Sequence, residues 1–119
     1  MKSIARQSHQ RRTQALDRLF HPGSVAVVGA LSDADKWYLR QYYIAPLLEL
    51  GYQGRIYAVD SRGKEVPGAV ACRSISEIPG PVDLVVGCLS ARRTPGLVAE
   101  CRAAGVRFVQ VVSAGFAAP

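Results

Sequence analysis

One short run of the sequence restricts the fold more than any other. Ser24-Val25-Ala26-Val27-Val28-Gly29 is continuously apolar, with Pro22-Gly23 before it and a glycine turn after it. A run this short, with no alternation of polar residues, has no face to give to water. It reads as a strand covered on both sides, which is the situation of a parallel sheet. Val82-Asp83-Leu84-Val85-Val86-Gly87-Cys88 repeats the pattern.

Further elements follow from local chemistry. Arg55-Ile56-Tyr57-Ala58-Val59 is a strand that ends at Asp60, and Arg107-Phe108-Val109-Gln110-Val111-Val112 is the last one. Residues 61–68 form a Gly/Pro/charge-rich loop, and Ala69 to Cys72 a very short strand. Helices are expected at Thr13 to Phe20, at Asp35 to Leu50 and at 92–104. The first stops before His21-Pro22-Gly23. Gly51 caps the second, and Pro46 is expected to kink or divide it because proline removes a helical hydrogen bond. The third carries Leu97, Val98 and Cys101 on one stripe, with Gly105 just past its end. Ser74 to Ile78 reads as one helical turn, with Ser74 as N-cap and Glu77 completing a capping box. Strands alternating with helices at this spacing give βαβ units. The expected architecture is a single α/β domain with a Rossmann-like, doubly wound parallel sheet.

Composition narrows the class further. A chain of 119 residues, 49% hydrophobic and 20% charged, has enough apolar side chain for one ordered domain. No uncharged apolar run approaches the ~20 residues that cross a bilayer. The charged N-terminus lacks the apolar segment of a secretory signal. Cys72, Cys88 and Cys101 show no metal-ligand spacing and read as reduced, packed cysteines of a cytoplasmic protein. The net charge of +6 is uneven: residues 1–20 carry five basic side chains and one acidic, a net of +4. Residues 1–12 therefore read as a basic, flexible arm, and residues 13–119 as the domain. The arm alone is a thin case for nucleic acid, and a membrane partner is not expected. The chain stops about three residues after Phe116, where a covering helix is expected, as a piece of a longer protein would.

In an open parallel sheet, ligands bind beyond the C-terminal ends of the strands. Those positions are Gly29-Ala30-Leu31-Ser32, Asp60-Ser61-Arg62, Leu89-Ser90-Ala91 and Ser113-Ala114-Gly115-Phe116. Small and hydroxyl-bearing turns allow close approach and offer N–H groups to an anion. The fingerprint G-x-G-x-x-G is absent: Leu31 stands at the second glycine, and Asp33 and Asp35 follow, with Lys36 as local compensation. Asp60 stands where an acidic residue can hold the ribose of a nicotinamide cofactor. His9 and His21 match no catalytic motif, and no Ser-His-Asp, P-loop or metal-ligand spacing occurs.

The run Leu19-Phe20-His21-Pro22-Gly23-Ser24-Val25-Ala26-Val27-Val28-Gly29-Ala30 resembles the opening of the coenzyme A-binding domain of NDP-forming acyl-CoA synthetases. That domain resembles the alpha subunit of succinyl-CoA synthetase and recurs in some protein lysine acetyltransferases. The likeness continues through Gly51 to Val59, Glu65-Val66-Pro67-Gly68, Ser76-Glu77-Ile78-Pro79, Pro81 to Val86, and Val112 to Phe116. It implies coenzyme A along the strand ends, with Gly29, Ala30, Leu31 and Ser32 at the nucleotide phosphates. Arg62 or Lys64 would meet phosphate charge near the adenosine end, with Lys36 of the first turn and Asp60 beside the phosphate path also among the cofactor-binding residues. Leu89, Ser90 and Ala91 would lie along the adenine or pantetheine path, and Ser113, Ala114 and Gly115 near the thiol. The parent reaction would join a carboxylic acid to coenzyme A through an acyl phosphate and a phosphohistidine. That histidine belongs to a later domain, so this piece is not expected to turn over alone. Its partners would be further ligase or acyltransferase domains of the same protein.

The sequence departs from the family pattern at the first turn, where Leu31, Ala34, Asp35 and Tyr38 replace a serine, a proline and two glycines. Asp60-Ser61 replaces the usual Asn-Pro. Trp37, Tyr38, Tyr42 and Tyr43 add aromatic area that suits packing against another domain, or stacking on a ligand. Two other readings therefore stay open: a degenerate Rossmann-like interaction or regulatory domain, and an NAD(P)-binding module.

Overall fold

The computed structural model describes residues 10–13, 16–17, 19–29, 43–63, 65–89 and 91–112. In chain order the elements are β1 (Ser24–Gly29), α1 (Ala45–Glu49), β2 (Arg55–Val59), β3 (Val70–Cys72), a 3-10 turn (Ile75–Glu77), β4 (Leu84–Cys88), α2 (Thr94–Ala103) and β5 (Phe108–Val111). Upstream of β1, residues 10–13, 16–17 and 19–20 are helical, and the His21 N–H donates to the Asp17 carbonyl at 2.7 Å. Helical structure thus begins before Thr13, the expected first residue.

The five strands form one sheet, all parallel, in the order β3-β2-β1-β4-β5. This is the doubly wound order anticipated from the alternation of elements. It also explains the composition of β1, the central strand. All six of its residues are buried, because it has a neighbour on each side and packing on both faces. Ala26 and Val28 enter one apolar cluster with Tyr57, Val59, Val85, Leu97 and Cys101. Val25 and Val27 enter the other, with Ile44, Ile56, Ala58, Val66 and Val86. Two cores fed by alternate residues of one strand require an unbroken apolar sequence.

Several local expectations change. Pro46 sits in the first turn of α1, where its missing N–H has no helical partner to lose. Tyr43 and Ile44 form a wider π-type turn immediately before it. The expected helix from Asp35 begins, like Trp37, Tyr38 and Tyr42, outside the described residues. Gly51 does end α1, at φ +80°, and Gly105 ends α2 at φ +73°. There the Val106 N–H donates to the Cys101 carbonyl, closing the helix end. On α2 the buried stripe is Thr94, Leu97 and Cys101. Val98 is 45% exposed. One residue along a helix is about 100° of rotation, which carries Val98 off the stripe that Leu97 occupies. The capping box is replaced by a different contact. The Ser74 hydroxyl caps no N–H and instead meets the Ser76 hydroxyl at 2.8 Å, while the Glu77 carboxylate accepts from the Arg73 N–H at 2.7 Å.

The N-terminal end of the sheet is tied by polar groups. The Ser24 hydroxyl donates to the Pro81 carbonyl (2.9 Å) and accepts from the Asp83 N–H (3.1 Å). The Asp83 carboxylate accepts from the Gly23 N–H (2.7 Å) and lies 3.6 Å from the Arg107 guanidinium. The Tyr52 hydroxyl donates to the Pro22 carbonyl at 2.7 Å, and burial together with the Asp83 charge raises its pKa. These contacts fix where β1 and β4 begin, and so set the height at which both strands end.

Candidate functional site

The chain runs β1, β2, β3 in one direction across the sheet, then returns to place β4 on the other side of β1. The switch in direction therefore lies between β1 and β4, where neighbouring connections diverge and leave a crevice. A cleft of about 360 Å³ opens at these strand ends. Val28 and Gly29 of β1, Val59 with Asp60 and Ser61 beyond β2, and Leu89 beyond β4 supply its floor. Arg73 and Ser74, beyond β3, also line it, as do Arg93, just before α2, and Gly96, Leu97 and Glu100 of α2.

Each wall has a local cause. Gly87 of β4 allows α2 to sit close, since a β-carbon there would come within 2.5 Å of a Leu97 methyl. The first turn of α2 thereby reaches the rim with its exposed Arg93 side chain and with Gly96, which has open space around its α-carbon. Proline at the head of α2 suits a first helical turn, and the positive end of a helix dipole favours an anion. β3 is only three residues long, so its successor Arg73 emerges at the same level as the ends of β1 and β2. The Arg73 side chain lies along Gly63, whose α-carbon at φ +65° leaves that space open. The 60–63 turn is closed by the Gly63 N–H donating to the Asp60 carbonyl at 2.8 Å.

The two acidic side chains of the cleft differ. Glu100 is engaged, its carboxylate accepting from the Ile75 N–H at 2.9 Å and tying the 3-10 turn to α2. Asp60 is 3% exposed, and its Oδ2 has no hydrogen-bond partner among the described residues. A buried acceptor without a donor is costly, and such groups in native proteins call for one.

Of the expected site residues, Gly29, Asp60 and Leu89 come together in the cleft. Arg62 is exposed on the 60–63 turn, and Ala91 is half-buried before α2; neither lines the cleft. Ala30, Leu31, Ser32, Lys36, Lys64, Ser90, Ser113, Ala114 and Gly115 lie outside the described residues. Arg73, Ser74, Arg93, Gly96 and Glu100 were not anticipated. A sharper signal existed for Arg73: the strand-end rule applies equally to the short third strand, which had been identified.

Burial raises the pKa of all three thiols. Cys101 is pushed up to about 11 by burial and then by the Glu100 charge. Cys72 is raised by burial and Glu77. Cys88 is raised by burial, against which a hydrogen bond with Tyr43 acts. These are properties of packed cysteines rather than of nucleophiles. Among the described residues no group of His, Cys, Asp and Glu is placed to hold a metal ion, and no helix is long and apolar enough to cross a membrane.

Comparison with known proteins identifies the family. A CoA binding domain family matches residues 23–118. The alpha subunit of acetate–CoA ligase (ADP-forming) I from Pyrococcus furiosus is 36% identical over 106 residues, covering 86% of this chain and 22% of that protein. The corresponding isozyme II subunit is 36% identical over 101 residues, 85% of this chain and 21% of its own length. Among solved structures, dinucleotide-forming acetyl-coenzyme A synthetase 1 of Ca. Korarchaeum cryptofilum, in complex with phosphate and ADP, superimposes with a TM-score of 0.74. It is 33% identical, over 85% of this chain and 21% of that one. A hypothetical protein from Pyrococcus horikoshii, at 22% identity and a TM-score of 0.63, shares the fold. The chain thus spans about a fifth of the length of the curated relatives it matches. With the parallel sheet, the switch-point cleft and a family match across most of its length, this chain belongs to the CoA binding domain family.

Proposed function

We propose that this chain is the coenzyme A-holding unit of an ADP-forming acid–CoA ligase or a related acyltransferase, and that coenzyme A lies across the strand-end cleft. The observation that carries the reading is the cleft's position at the switch point of a family member's sheet, with two arginines on its rim. Arg73 and Arg93 meet the diphosphate by charge-assisted hydrogen bonds, and α2 adds the positive end of its dipole. Val28, Val59, Leu89 and Leu97 provide the apolar wall against which an adenine ring or a pantetheine arm packs. By the family resemblance, Ala30 to Ser32, next in sequence after β1, would meet the phosphates, and Ser113 to Gly115, after β5, would lie near the thiol.

The chain supplies binding and orientation. Activation of the acid belongs to further ligase or acyltransferase domains of the same protein, in the cytoplasm. No membrane partner enters this reading, and the basic arm gives no role to nucleic acid. Isothermal titration of the 119-residue chain with coenzyme A tests it. Binding is expected, weakened roughly tenfold by Arg93→Ala, the loss of one hydrogen bond to a charged group. No heat and no thermal shift at millimolar ligand would refute it.

A further inference from the structure

We propose that Glu100 is a positioning residue of the cleft: from α2 it holds the segment that carries Arg73, and so fixes the spacing at which Arg73 and Arg93 meet the diphosphate. This rests on the reading of the cleft as the seat of coenzyme A, and deepens it by naming what sets the two arginines.

A carboxylate is out of place in a cleft that takes a polyanion, because like charges a few ångströms apart repel. Glu100 nevertheless lines that cleft, together with Arg73, Ser74, Arg93, Gly96 and Leu97. Its contact gives the reason. The Glu100 Oε1 accepts from the Ile75 N–H at 2.9 Å, joining two positions 25 residues apart in the chain. A hydrogen bond to an ionised acceptor is short and about twice as strong as a neutral one.

The two sides of that bond differ in how firmly they are held. α2 is a fixed frame, since Leu97 seats closely against Gly87 of β4 and both Leu97 and Cys101 are buried. Arg93, Gly96, Leu97 and Glu100 follow one another at helical spacing on a single face, so Glu100 and Arg93 share that frame. Arg73 and Ser74 lie in neither strand nor helix, between the end of β3 at Cys72 and the 3-10 turn that begins at Ile75. Two polar contacts of this segment are local: the Arg73 N–H donates to Glu77, and the Ser74 hydroxyl meets that of Ser76. Such contacts move with the segment. The Ile75 side chain is buried in the same apolar cluster as Leu97 and Cys101, but apolar packing is non-directional and leaves the orientation of the backbone open. The bond to Glu100 supplies that direction, and it reaches the diphosphate through Arg73, which precedes the held N–H in the same short segment.

The test is a calorimetric titration of the full chain with coenzyme A. It compares the wild type, Glu100→Ala, Glu100→Gln, Arg73→Ala and the double variant that combines Arg73→Ala with Glu100→Ala. Glutamine keeps an acceptor oxygen and removes the repelling charge. Glu100→Ala is expected to weaken binding roughly tenfold, and Glu100→Gln to restore it to within about twofold of the wild type. In the Arg73→Ala background, Glu100→Ala should cost no more than about twofold, because the group it positions is gone. Three results overturn the inference and leave the cleft's function intact. They are a Glu100→Ala that binds as tightly as the wild type or tighter, a Glu100→Gln no better than Glu100→Ala, and losses at Arg73 and Glu100 that simply add. Tighter binding by both Glu100 variants is the mark of a merely repelling charge. If Glu100→Ala fails to fold, Glu100→Asp, which keeps the charge and loses one methylene of reach, takes its place in every comparison. Failure of the wild type to bind refutes the coenzyme A reading and this inference with it.

Discussion

Ser24, Asp60 and Cys101 are all buried, and each meets burial with a different device. Ser24 satisfies its hydroxyl twice, toward Pro81 and from the Asp83 N–H. Ser24→Ala leaves a buried carbonyl and an N–H short of partners. It should lower the free energy of unfolding by about 1–3 kcal/mol, read from urea denaturation. Asp60 keeps one buried oxygen whose donor is missing among the described residues. Cys101 is satisfied by staying neutral. Its folded-state pKa, about 11 against an ordinary 9.0, lies above the unfolded value. Folding is therefore fully supported by this thiol below pH 9, and that support is lost as pH rises toward 11. The urea midpoint should fall across that window, and the fall should be shallower in Cys101→Ala, with Cys72 and Cys88 supplying what remains. A midpoint independent of pH between 9 and 11 would contradict this.

Among the elements, the strands were the most readable in sequence, for a physical reason. A strand buried on both faces cannot alternate, so β1 and β4 announce themselves as apolar runs, and glycines at φ +80° and +73° mark where α1 and α2 end. The cleft was only partly readable. Gly29, Asp60 and Leu89 follow from the strand-end rule, but Arg93 enters through the seating of α2 on β4, which depends on a pair of residues distant in sequence. Gly87 and Leu97 are that pair. Nor does sequence distinguish a buried Asp60 from a solvated loop carboxylate, since its burial depends on how the folded chain surrounds the start of the 60–63 turn. Gly87→Ala tests the seating. The new β-carbon forces the buried Leu97 to move, at a cost of about 1–3 kcal/mol in stability. Because Leu97 also lines the cleft, affinity for coenzyme A should drop in the same variant, as titration calorimetry can show.

At the scale of the whole molecule, the two ends of the sheet have different tasks. The N-terminal end is held together by Ser24, Tyr52, Asp83 and Arg107 in contacts that satisfy one another. The C-terminal end brings together exposed arginines, a buried carboxylate and a glycine-bearing helix start around an open cleft. This division is what a cofactor-holding unit requires: one end rigid through internal bonds, the other with groups left for a ligand. The net charge of +6 does not bear on the cleft, since residues 1–20 hold most of it. The most direct measurement is a backbone amide NMR titration of the chain with coenzyme A. The largest shifts are predicted at Gly29, Asp60, Ser61, Arg73, Leu89, Arg93 and Gly96, while Ser24, Tyr52, Arg55, Asp83 and Arg107 at the other end stay in place. Shifts concentrated at the N-terminal end of the sheet, or none at saturating coenzyme A, would contradict the placement of the cofactor at the strand ends.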